Sequence, residues 1–186
     1  MVTAIIVAAG KGTRMQDAQR KQYLSLAGLP ILTRTLVIFD KCERIEQIIL
    51  VIPLDDFNFC QKNILQPAGL TGKTILVPGG ERRQDSVFNG LKAVDPGCSI
   101  VVIHDGVRPF LQNDQLIACI EGAQESGACI MGVPAHETLK QVNASVHIIQ
   151  TLKPVSYTHL TLPTRCHRGR SRWGGWGWGG GGGGGG

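Results

Sequence analysis

Along the first 134 residues, short apolar runs alternate with stretches whose apolar positions recur every three or four residues. The runs fall at 3–9, 47–53, 73–77, 99–104 and 128–134 and predict strands. Ile48-Ile49-Leu50-Val51-Ile52 and Ile100-Val101-Val102-Ile103 are apolar at every position, so both faces of these strands must be covered, as in the centre of a parallel sheet. Between the runs, Pro30 opens a helix that carries Leu32, Leu36 and Phe39 at helical spacing. Further helices are expected over about 55–66 and 82–94, and from Asn113, whose side chain can cap free N–H groups. After Pro134 the pattern shortens: residues 137–142 and 146–151 flank Asn143-Ala144-Ser145 and predict a hairpin that projects as an arm. The fold class expected is α/β, Rossmann-like and three-layered, with a mostly parallel sheet and a projecting β-arm.

The chain of 186 residues has a formal charge of +5, which invites a nucleic-acid partner until the charge is located. Residues 155–186 hold Arg165, Arg168, Arg170 and Arg172 and no Lys, Asp or Glu; the remainder carries 15 basic against 14 acidic side chains. All three tryptophans and 12 of the 25 glycines lie in the same stretch, which ends in eight glycines. Such a composition buries almost nothing and loses much backbone entropy on ordering. Its G-rich codons resemble translated low-complexity DNA, and Pro154 to Thr164 already departs from the upstream pattern. Residues 1–153 are therefore read as one domain, incomplete at its C-terminal side, and 154–186 as a disordered, non-native-looking tail. The six cysteines form no Cys-x-x-Cys pair and read as free thiols of a reducing compartment. With no leader pattern and no apolar run near ~18 residues, a cytoplasmic protein without membrane or nucleic-acid partners is expected.

Three stretches carry candidate chemistry. Ala8-Ala9-Gly10-Lys11-Gly12-Thr13-Arg14 follows the first strand, and Lys21 comes shortly after. Gly10 and Gly12 let the backbone bring its N–H groups to an anion, while Lys11, Arg14 and Lys21 supply the charge that a triphosphate requires. A bare G-x-G also serves structural βα turns; the added cations favour phosphate. His104-Asp105-Gly106-Val107-Arg108-Pro109 puts Asp105 at the carboxyl end of a buried strand, where open α/β sheets bind ligands. A carboxylate there suits Mg²⁺, which takes one or two carboxylates plus phosphate oxygens; otherwise Asp105 is a turn residue paired with Arg108. Strand alternation turns His104 away from Asp105, as a structural histidine. In Pro78-Gly79-Gly80-Glu81-Arg82-Arg83-Gln84-Asp85-Ser86, the turn amides and the Ser86 hydroxyl could meet a base or ribose, or the segment could be a capped helix with a solvated charged face.

Taken in order, Ala-Ala-Gly-x-Gly-x-Arg-Met, Lys-Gln-Tyr, Gly-Gly-x-x-Arg-x-Asp-Ser-Val and His-Asp-x-x-Arg-Pro closely resemble the 2-C-methyl-D-erythritol 4-phosphate cytidylyltransferases, from residue 3 to about 153. The resemblance implies a nucleotidyltransferase of non-mevalonate isoprenoid biosynthesis, with CTP held around Ala8, Ala9, Gly10, Gly12, Gly80, Ser86 and Asp105. It makes Arg14 and Lys21 catalytic, Asp105 a magnesium ligand, and Arg108, Thr138 and Lys140 contacts to 2-C-methyl-D-erythritol 4-phosphate, the last two from an arm that reaches across a homodimer. Where the family continues Thr-x-Asp-Arg, this chain has Thr151-Leu152-Lys153-Pro154, so the arginine implied for the acceptor phosphate is absent and little activity is expected of the chain as it stands. A ribitol-phosphate or sugar-phosphate nucleotidyltransferase and a non-catalytic nucleotide-binding fragment are the alternatives. A dinucleotide-binding dehydrogenase fits less well, for the glycine turn lacks a correctly spaced third glycine.

Overall fold

In the computed structural model, which describes residues 1–10, 20–132, 139–143 and 147–152, the elements run β1 (Val2–Val7), β2 (Ser25–Leu26), β3 (Leu29–Pro30), α1 (Ile31–Lys41), β4 (Gln47–Ile52), α2 (Phe57–Cys60), β5 (Thr74–Pro78), α3 (Arg83–Lys92), β6 (Ile100–Asp105), α4 (Asn113–Ser126), β7 (Leu139–Val142) and β8 (Ile148–Leu152). The main sheet has the order β5-β4-β1-β6 with every pair parallel. Of the two runs expected at the centre, β4 is central, beside β1, which is buried at all six positions; β6 is instead the edge strand next to β1 in the described sheet, its two faces covered by α4 and α3. Ladder register sets Val7 beside both Val51 and Asp105, and Ile52 beside Pro78. The carboxyl ends of all four strands thus come level at one edge.

Alternation along the strands divides the core in two. Ala4, Ile6, Ile48, Leu50 and Val102 face Leu32, Leu36 and Phe39 of α1 and Leu116 and Ile120 of α4. Ile5, Val7, Ile49, Val51, Val101 and Ile103 face Val87 and Leu91 of α3. Each such side chain contributes ~1.5–3 kcal/mol on burial, so helices on both faces follow from strands apolar on both faces.

Two expectations need correction. The helix expected over 55–66 is a 3₁₀ turn (Leu54–Asp56), then α2, then a π turn (Gln61–Leu65). The π turn carries both Ile64 and Leu65 into the core, at 1% exposure each. The strand expected at 128–134 is absent over 128–132, and 133–134 lie outside the described residues. Gly127, at φ 87°, ends α4, and Cys129 then turns back onto that helix, where a Cβ on Gly122 would stand 3.1 Å from its Sγ. Side-chain packing on α4 takes the place of a ladder. The hairpin is present as β7 and β8, antiparallel, with an irregularity between Gln141 and Val142. The stretch assigned to the tail lies outside the described residues from 153 onward.

Candidate active site

Three turns leave the aligned strand ends and are stitched to them. Ala8 N donates to Val51 O, Gly79 N to Ile52 O and Gly106 N to Val7 O, each at 2.8 Å. The turns also touch one another: a Cβ on Gly79 would run into Ala9, and one on Gly106 would stand 2.8 Å from the Ala8 methyl. Only glycine permits that approach. Between the turns lies a cavity of about 600 Å³, walled by Ala8, Ala9 and Gly10 from the first, Gly80 to Arg83 and Ser86 from the second, and Asp105 and Arg108 from the third. Its size suits a nucleotide-sized ligand.

The wall is mostly cationic. Lys21, Arg82, Arg83 and Arg108 line it, against Glu81 and Asp105. Asp105, a quarter exposed, holds two of the guanidiniums: Arg83 donates from Nε (3.0 Å) and Nη2 (2.8 Å) to Oδ1, and Arg108 forms an ion pair, its Nε 3.0 Å from Oδ2. The first turn of α3 faces the same space, so free N–H groups and the helix dipole add to the positive field. That turn is fixed by its own hydrogen bonds. Ser86 Oγ, almost fully buried, accepts from Gly80 N (3.0 Å) and donates to Arg82 O (3.2 Å), so Ser86 shapes the glycine turn. Asp85 accepts from the Arg82 N–H at 3.1 Å, and the Arg82 guanidinium holds its carboxyl below the usual range.

Lys21 reaches the cavity from a 3₁₀ turn over Lys21–Tyr23. Its neighbours are buried and anchored. Gln22 Nε2 donates to Ala8 O (2.9 Å), and the Tyr23 hydroxyl donates to Asp56 Oδ2 (2.9 Å). Burial, then the Asp56 carboxylate, raise the ionisation of that hydroxyl above its ordinary range. His104 is buried on the α1 side with its ring 5.1 Å from that of Phe39, and desolvation lowers it to about 4, so it is a neutral core side chain.

Of the residues singled out in the sequence, Ala8, Ala9, Gly10, Gly80 and Ser86 line the cavity together with Lys21, Asp105 and Arg108. Gly12, Arg14 and Thr138 lie outside the described residues, and Lys140 stands in β7 opposite Thr151. Arg83, which the sequence leaves open between a ligand-facing turn and a solvated charged face, lines the cavity. The signal for it was present, because it is the arginine of Gly-Gly-x-x-Arg, but only the crossing of α3 over the sheet brings it to Asp105. Among the described residues no three His, Cys, Asp or Glu side chains gather as a metal centre. Two carboxylates line the cavity, Glu81 and Asp105, and Asp105 has three guanidinium nitrogens within 3.0 Å on a carboxylate that accepts about four hydrogen bonds. That set fits a magnesium ion held mainly by phosphate oxygens and water. Among the described residues no helix is long and apolar enough to cross a membrane.

A model of the family described as "IspD: 2-C-methyl-D-erythritol 4-phosphate cytidylyltransferase" matches residues 2–164, extending past Lys153. Relatives bearing that enzyme name are 42% identical over 150 residues in Alkaliphilus metalliredigens and 44% identical over 151 residues in Alkaliphilus oremlandii. Each alignment takes in 81% of this chain, and 62% and 64% of the relative, so the chain spans a little over three-fifths of their length. The crystal structure of a 4-diphosphocytidyl-2C-methyl-D-erythritol synthase from Anaerococcus prevotii superposes with TM-score 0.79 at 30% identity, over 89% of this chain and 69% of that one. A Francisella tularensis 2-C-methyl-D-erythritol 4-phosphate cytidylyltransferase gives 0.70 at 30% identity over 89% and 72%. The sequence motifs, the parallel sheet and the extent of these matches lead to one conclusion: the chain belongs to the 2-C-methyl-D-erythritol 4-phosphate cytidylyltransferase family.

Proposed function

We propose that this cavity binds CTP and belongs to an enzyme that transfers its cytidylyl group to 2-C-methyl-D-erythritol 4-phosphate, releasing pyrophosphate, in isoprenoid precursor synthesis. The observation that carries the reading is the meeting of Lys21, Arg83 and Arg108 with the first turn of α3 around one cavity at the strand ends. In the reaction a phosphate oxygen of the acceptor attacks the α-phosphorus of CTP, a P–O bond to that oxygen forms, and the bond to pyrophosphate breaks. No covalent intermediate with the protein is needed. The chain's part is to align two polyanions and to offer fixed positive charge where charge builds. Lys21 and Arg14 supply the positive charge for the reacting phosphate. Arg83 and Arg108 exchange the Asp105 carboxylate for phosphate oxygens when ligands arrive, Arg108 on the acceptor side. Asp105 would hold a magnesium ion, which when bound neutralises triphosphate charge. Thr138 and Lys140 contact the acceptor across a homodimer built through the β7–β8 arm, in the cytoplasm.

Calorimetric titration with CTP, UTP and ATP tests the nucleotide half, with CTP preferred by ~10-fold or more, the worth of one or two base contacts. Equal affinity for the three would overturn it. The acceptor half is tested in a chimera completed with the C-terminal third of a relative: pyrophosphate release should depend on 2-C-methyl-D-erythritol 4-phosphate and not on ribitol phosphate or sugar phosphates. Lys21→Ala in that chimera should lower turnover ~10²–10³-fold while changing CTP affinity far less.

A further inference from the structure

We infer that Asp56 is a positioning residue that sets where the Lys21 ammonium stands in the cavity, an inference that rests on the proposed role of Lys21. Lys21 is itself exposed, and a lone exposed lysine would have many rotamers and a mobile backbone around it. Here the residues on both sides of it are fastened. Arg20 forms an ion pair with Asp56, its Nε 3.2 Å from Oδ2, and the Tyr23 hydroxyl donates to the same oxygen at 2.9 Å. Gln22 is tied to Ala8 O in between. The Tyr23 ring also rests on Phe59, 4.8 Å between centroids.

Asp56 is in turn fixed to the sheet. It closes the 3₁₀ turn that follows β4, its own N–H bonded to Pro53 O at 3.0 Å. The 20–23 segment is thereby pinned to the ends of two adjacent strands, through Asp56 behind β4 and through Ala8 after β1. The charge on Asp56 adds something that a neutral acceptor would not. Its side chain is 14% exposed, and a charge so little in contact with water is stabilised by a partner of opposite sign, here the guanidinium next to Lys21 in sequence. Arg20 is drawn onto Asp56 and does not line the cavity, whereas Lys21 does. Without the carboxylate, Arg20 is free to compete for the same phosphate and to repel the ammonium.

Asp56→Asn keeps the size and an acceptor for Tyr23 but removes the charge; Arg20→Gln, at a half-buried surface position, removes the same ion pair from the other side. Hydrogen exchange should rise ~10-fold or more in both variants at the Tyr23 and Leu24 amides, which close on Arg20 and Lys21, and stay unchanged in β1 and β4. Acylation of Lys21 by a water-soluble acetylating reagent, read by mass spectrometry, supplies the functional arm. Saturating CTP should protect Lys21 ~10-fold in the parent chain and less than ~2-fold in Asp56→Asn, since a displacement of about 1 Å is enough to lose such a contact. Equal protection in parent and variants overturns the inference. If CTP binds nowhere in the parent chain, the proposed function fails instead, and the exchange arm decides alone: unchanged protection of Tyr23 and Leu24 in both variants overturns the role of Asp56.

Discussion

Removing the charge of Asp105 separates its two proposed duties, because they push nucleotide affinity in opposite directions. In the ligand-free site the carboxylate holds Arg83 at 2.8 Å and Arg108 at 3.0 Å. Both guanidiniums are about half exposed, so each pair is worth ~0–1 kcal/mol and Asp105→Asn should cost only about 1 kcal/mol of stability. Its effect on a polyanion is larger. A unit charge ~7 Å from each of three phosphate charges, at a dielectric near that of water, repels by ~0.6 kcal/mol apiece. Screening over a Debye length of ~8 Å reduces the total to about 1 kcal/mol. Freed Arg83 and Arg108 then need not be pulled from a partner. Calorimetry in EDTA should therefore find CTP bound ~5-fold more tightly by Asp105→Asn than by the parent chain. In millimolar Mg²⁺ the order should reverse, since the variant lacks the carboxylate that would hold the ion. A variant that binds CTP more weakly in EDTA would refute the electrostatic reasoning; equal gains from Mg²⁺ in both proteins would remove Asp105 from the metal.

Three further outcomes rest on the packing. Gly90→Ala places a methyl 2.6 Å from Ile5 Cγ2 and 3.2 Å from Val51 Cγ2, where α3 crosses the sheet, and should cost ~1–3 kcal/mol in urea unfolding despite the better helix propensity of alanine. Desolvation pushes the Cys60 thiol up to about 12, so labelling by Ellman's reagent at pH 8 should be ~10³-fold slower than for a free thiol and should keep rising with pH toward 12. Rapid labelling with the fold intact would show that Cys60 is reached by water. The sign for stability is fixed by the same shift: a thiol whose folded pKa is raised opposes folding as pH climbs from about 9 to 12, so alkaline destabilisation should be smaller in Cys60→Ala.

The sequence alone pointed to the parallel sheet, because runs such as Ile48–Ile52 and Ile100–Ile103 are apolar on both faces and need cover on both, though it did not put the second of them, β6, at the sheet's edge. It also located the turns, for glycines after a strand mark close backbone approach, and β1, α1, α3, β6 and α4 begin within a residue or two of where periodicity puts them. Where elements needed a partner from elsewhere in the chain, local pattern failed. The apolar run at 128–132 reads as a strand, yet it folds onto α4 through Cys129. The 55–66 stretch reads as one helix, yet it divides into a 3₁₀ turn, α2 and a π turn that carries Ile64 and Leu65 into the core. The site divides in the same way. Charge and glycine content are composition along a line, but whether Arg83 is a solvated cation or a cavity wall, and whether Asp56 caps a turn or braces the segment around Lys21, depends on distances between residues 22 and 33 positions apart. Such distances are set by long-range packing and register, so only the tertiary structure could decide them.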